Sequence, residues 1–217
     1  MQAVGREERP SNYERMKESM SRAFLKCDQE DMIRKFSLAH DQLYLYIRFL
    51  GREYRINRAT GRVSWSDDSF ITEEPGNYNE AMTLYDVLSY PGEKRALAHE
   101  WIHIDSLSPI QGGSMRRGAG LFREFETYFD GKARSLAAAC EALGGRPAGK
   151  GAAAYELDLF TFLPISLGFW ESDDEFPASL QILVDHNILD FMHYETLMFA
   201  VIHLLERLQD LVRADAG

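Results

Sequence analysis

The 217-residue chain is 45% hydrophobic and 12% aromatic, so a packed core can form without disulfides or metal, and global disorder is excluded. Its 24 basic and 34 acidic residues give a net charge of −10, which argues against coating nucleic acid or an anionic membrane through an overall field. Two cysteines, Cys27 and Cys140, are too few and too distant for a disulfide framework or an iron–sulfur spacing, so two reduced thiols are expected.

Met1 to Pro10 carries charges and no apolar run of the signal-peptide kind. Leu159 to Trp170, the longest uncharged apolar stretch, is shorter than the ~20 residues a membrane span needs. A single cytoplasmic domain, outside the membrane, is therefore expected. Ser11 to Ala39 reads as helical, with Ser11 as N-cap and a break near Asp28. From Leu43 to Ser66 the period changes to two, and Gly51 and Gly61 punctuate a three-stranded antiparallel meander. An acidic connection from Ser66 to Asn79 leads to a short helix over Glu80 to Tyr90. Helices are predicted over Leu121 to Phe129 and Ala133 to Leu143, and two strands hinged near Pro164 over Ala154 to Trp170. Another strand spans Leu180 to Val184. The clearest helix is Thr196 to Val212, where Leu197, Val201, Leu204, Leu205, Leu208 and Leu211 form one apolar stripe. Strands and helices come in blocks, so the expected fold class is α+β, with an antiparallel or mixed sheet, an N-terminal helical segment and a long C-terminal helix.

His99-Glu100-Trp101-Ile102-His103 matches HExxH. On a helix both imidazoles would reach one zinc, with Glu124 as third ligand and Glu100 as the base acting on a zinc-bound water, giving a zinc-dependent hydrolase. On a strand the two rings would stand about 13 Å apart and Glu100 would point away from both. Trp101, Ile102 and Ile104 are strand formers, and Pro109 with Gly112-Gly113 soon ends the segment.

A series of segments bears on that choice: Arg52-Glu53-Tyr54-Arg55-Ile56, Trp101-Ile102-His103-Ile104, Leu143-Gly144-Gly145, and Phe169-Trp170-Glu171-Ser172-Asp173-Asp174-Glu175-Phe176-Pro177-Ala178, followed by Ile182 to Asp185, Phe191 and Glu195. Together they resemble the bacterial and archaeal proteins grouped as domain of unknown function family 3786, from about Leu45 to Leu208, most specifically around Glu175 to Ala178. That family implies no established activity. Some of its members carry a four-cysteine iron–sulfur segment and an association with anaerobic one-carbon or corrinoid metabolism. This chain lacks those cysteines, so no cluster is implied here. The resemblance also implies a strand at Trp101 to Ile104 and no histidine at the position of His103, so the strand is the expected conformation.

Further constellations are weaker. Asp173-Asp174-Glu175 reads as a solvated turn before Pro177 rather than a cation site, and His186, Asp190, His193 and Glu195 cluster ahead of the last helix. Arg48, Arg52, Arg55, Arg58 and Arg62, with Tyr44 and Tyr46, raise single-stranded nucleic-acid binding through the meander. The acidic run beside them makes mutual pairing the better reading, so nucleic acid is unlikely. His203 is read as a surface residue beside Glu206 and Arg207, and Cys140 as packed. Gly112, Gly113 and Ser114, with Arg116 and Arg117, precede a predicted helix and form the expected ligand site for a small anion, without the ending of a P-loop. The expectation is thus a binding or accessory domain rather than an enzyme, without a cofactor unless the zinc alternative holds. Its partner would be a small anionic ligand or a protein, and the aromatic content leaves room for a homodimer.

Overall fold

The computed structural model describes residues 12–91, 96–107 and 122–215. The N-terminal segment forms two helices, α1 (Asn12–Phe24) and α2 (Gln29–Phe36). Asp28 separates them by capping the second: its carboxylate accepts from the N–H groups of Glu30 and Asp31 at 3.0 and 3.1 Å. Ser37, at a φ of 52°, ends α2. The N-cap expected at Ser11 lies outside the described residues.

β1 (Ala39–His40) precedes the expected meander of β2 (Tyr44–Phe49), β3 (Arg52–Asn57) and β4 (Val63–Ser66). The β2–β3 connection is only Leu50 and Gly51, at φ 48° and 75°, the left-handed pair that a two-residue hairpin of matching twist demands. Glycine meets that demand freely. Leu50 meets it under strain, and its side chain is buried in the core.

β5 (Glu74–Pro75) closes one sheet edge and α3 (Tyr78–Ser89) follows. A reciprocal cap starts α3: Asn77 Oδ1 accepts from the Glu80 N–H at 3.0 Å, and Glu80 Oε2 accepts from the Asn77 N–H at 2.6 Å. Next come β6 (Trp101–His103), a 3₁₀ turn at Ile104–Leu107, α4 (Arg123–Phe129) and α5 (Ala133–Ala142). The chain ends with β7 (Arg146–Pro147), β8 (Ala153–Phe160), β9 (Leu163–Trp170), β10 (Ser179–Asp185) and α6 (Tyr194–Asp215).

The strand order is β5-β4-β3-β2-β8-β9-β10-β6, with β1 on β2 and β7 on β8, and every pairing is antiparallel. The fold is α+β. The two strands β8 and β9 are hinged near Pro164, as expected. The turn is Thr161-Phe162, and Pro164 sits within β9 opposite Asp158. It is tolerated because β10 pairs with β9 only from Ile165 onward, so its missing N–H interrupts nothing on that side.

In β8, β9 and β10 alternate residues are buried, among them Leu157, Ile165, Leu167, Phe169, Ile182 and Val184, while Ser166 and Gln181 on the opposite face are less covered. α6 packs against α3 on one side and α5 on the other, with its leucine stripe inward. No helix among the described residues is long and apolar enough to cross a membrane.

Candidate ligand cleft and buried carboxylate

The HExxH segment is extended. Trp101, Ile102 and His103 pair with Asp185, Val184 and Leu183 of β10, and His99 precedes the strand with a φ of 59°. Asp185 holds this geometry. One carboxylate oxygen accepts from the Ala98 and Asn187 N–H groups at 3.0 and 3.2 Å, and the other from the His99 N–H at 2.8 Å. Amides committed to a side chain, together with a strand pairing, leave no helical turn to stack His99 over His103. Glu124 is exposed on α4, and no group of three or more His, Cys, Asp or Glu side chains converges as a metal site among the described residues. The expected strand is thus observed at Trp101–His103, anchored by Asp185, and the helical geometry that the zinc alternative needs is not formed. The anion site expected at Gly112, Gly113, Ser114, Arg116 and Arg117 lies outside the described residues.

Three arginines of the basic meander, Arg52, Arg55 and Arg58, pair with acids of the chain itself. Arg52 meets Asp67 at 3.3 Å and Arg55 meets Glu73 at 2.8 Å. Arg58 hydrogen-bonds the Gln29 side chain at 3.0 Å and pairs with Glu30. The Arg55 guanidinium also lies 4.2 Å from the Tyr44 ring and 4.5 Å from Phe70, which occupies the aromatic surface that a base would need.

A cleft of about 700 Å³ opens where β9 ends and β10 begins, with the last residue of β6, His103, on its edge. Its walls include Trp170, Phe176, Glu171, Asp173, Gln181 and His103. Trp170 closes β9 opposite Ser179, and its indole folds back over Gly168 two residues earlier on the same face. A Cβ at position 168 would lie 2.9 Å from the indole ring, so glycine is what lets the ring lie against the sheet. Trp170 remains 38% exposed and Phe176 66% exposed, two apolar side chains side by side at one cleft.

The acidic run around this cleft forms the expected turn. Asp173 Oδ1 accepts from the N–H groups of Glu175 and Phe176 at 2.9 and 2.7 Å, and these bonds hold its carboxyl below the usual carboxylate value. Glu171 Oε1 accepts from the Ala133 N–H at the start of α5, at 3.1 Å. On the opposite wall, His103 Nδ1 lies 3.3 Å from the Asp105 N–H and 3.3 Å from Asp105 Oδ2. The cleft was missed because its acids read as a turn and its aromatics as strand ends. A glycine two positions before a strand-ending tryptophan was the available signal.

A second polar group is sealed inside. Glu80 is 2% exposed between α3, β3 and α6. Tyr54 Oη donates to Glu80 Oε1 at 2.7 Å, and His203 Nε2 lies 3.2 Å from that oxygen, at ion-pair range without an aligned hydrogen bond. Burial alone would raise the Glu80 carboxyl. The His203 ring, the Tyr54 hydroxyl and the Asn77 N–H outweigh it and hold the group below its ordinary value. Burial, with Glu80 adjacent, pushes the Tyr54 phenol far up. His203 is thus no surface residue: it is 3% exposed and stacks on Phe49 with ring centroids 5.6 Å apart. Periodicity placed it at the edge of the α6 stripe, but α3 and the sheet cover that edge.

No curated protein and no solved structure matches the chain. A family model does match, over residues 28–207, which spans the meander, the cleft and all but the end of α6. The chain belongs to the family described as Domain of unknown function (DUF3786).

Proposed function

We propose that the protein is a binding or accessory module whose ligand seats in the cleft between Trp170 and Phe176. The observation that carries this reading is the indole seated over Gly168 with more than a third of its surface open. A sheet residue with no ligand to meet gains by burying such a ring, and an aromatic platform with polar neighbours is the usual construction of a small-molecule site. Ser179 and Gln181 supply further polar groups, and their side chains make no hydrogen bond to another described residue.

The test is an NMR titration of the three indole N–H signals, from Trp65, Trp101 and Trp170, assigned by single Trp→Phe variants. The probes are a panel of small organic cations, sugars, nucleosides and amides at millimolar concentration. At least one class is expected to shift Trp170 selectively, and Trp170→Ala is expected to abolish its binding. If every bound probe leaves the Trp170 signal in place, the cleft is not the site.

A further inference from the structure

We propose that the group this cleft receives is an alkylated ammonium, an inference that rests on the cleft being the ligand site. Among the described residues its lining contains two carboxylates, Glu171 and Asp173, and neither lysine nor arginine. Asp173 stays ionised at neutral pH because two backbone N–H groups stabilise its charged form, and both act on Oδ1, so Oδ2 remains available. Glu171 likewise spends Oε1 on the α5 backbone.

A phosphate or carboxylate ligand would meet these charges and a net charge of −10 on the chain. A neutral flat ligand would exploit the indole but would leave the two carboxylates without a counter-charge. A cation satisfies both parts of the lining: the faces of Trp170 and Phe176 attract positive charge through the ring quadrupole, and the carboxylates pair with it. Alkylation matters because methyl groups weaken hydration of the ammonium and give the rings an apolar surface to touch. The same chemistry has two sources, a free small quaternary amine or a methylated lysine side chain on another protein.

The experiment compares choline with 3,3-dimethylbutan-1-ol, its uncharged isostere, by titration of the Trp170 indole signal in the full chain. A short peptide bearing one trimethyllysine is the third probe. Choline or the peptide is expected to bind at least tenfold more tightly than the alcohol. The double variant Glu171→Gln, Asp173→Asn keeps every backbone acceptor and removes both charges. It is expected to lose at least tenfold in affinity while remaining folded, with a thermal midpoint lowered by no more than a few degrees. Tighter binding of the peptide than of choline assigns the ligand to a protein, and the reverse to a small molecule. Equal binding of choline and the alcohol at Trp170 overturns the cation while leaving the cleft intact. If neither choline nor the peptide moves Trp170, the cation is likewise overturned, and the cleft then stands or falls on the sugar, nucleoside and amide probes.

Discussion

Glu80 is asked to do two things at once: cap the first turn of α3 and face His203 and Tyr54 in the core. Arg207, which donates to the Leu50 carbonyl, and Arg52 add positive potential nearby. Because the folded carboxyl is held below its ordinary value of 4.5, its contribution to stability is present above that pH and is lost as pH falls through the folded value. Glu80→Gln should therefore cost about 1.5–3 kcal/mol at pH 7, the range for hydrogen bonds to a charged group. The gap to the parent protein should narrow below pH 4.5 in urea unfolding. A gap that stays constant down to pH 3.5 would show that the charge contributes nothing. Cys140 gives a second prediction at this scale. Burial, with Glu141 beside it, pushes its thiol up to about 12, whereas Cys27 is only partly buried. Iodoacetamide at pH 8 should label Cys27 alone in the native protein and both thiols in urea. Fast double labelling without denaturant would contradict the packing of α5.

Strand β9 shows what a single glycine does to its element. Alanine normally suits a strand at least as well as glycine. At Gly168 the added Cβ would sit 2.9 Å from the Trp170 ring and push the indole off the sheet. Gly168→Ala is expected to leave the thermal midpoint within a few degrees, to shift Trp170 emission to the red, and to weaken every probe that binds the cleft. Unchanged emission together with unchanged binding would show that the platform does not depend on this contact. The same scale explains how much of the molecule was legible. Period-two alternation announced β2 to β4, and the leucine stripe announced α6, because each pattern reports which side of an element faces apolar matter. HExxH could not be settled by spacing, since i and i+4 share a face in both helix and strand. The deciding groups, Asp185 and the β10 backbone, lie some eighty residues downstream.

Taken whole, the sheet is two antiparallel halves, β5-β4-β3-β2 and β8-β9-β10-β6, whose ladder meets at the single register pair Phe49 and Phe160. Leu50 N–H adds a bond to the Leu159 carbonyl at 2.8 Å. Cohesion across this seam falls to side chains: Phe49 stacks on Phe160 at 5.0 Å and on His203 of α6 at 5.6 Å, and α6 touches helices of both halves. A single cooperative transition is expected in calorimetry. Phe49→Ala should cost about 3–5 kcal/mol and broaden or split that transition. Two transitions in the parent protein, or a silent Phe49→Ala, would mean that the halves are independent. The amino-acid sequence by itself determined the α+β class, the helix break near Asp28, the meander and the amphipathic last helix, because caps, turns and hydrophobic period act between near neighbours in the chain. Only the tertiary structure decided which groups anchor the strand at Trp101, the burial of His203 against Glu80 and the opening of a cleft beneath Trp170. Each of those depends on which distant surface covers a residue, and no local pattern encodes that.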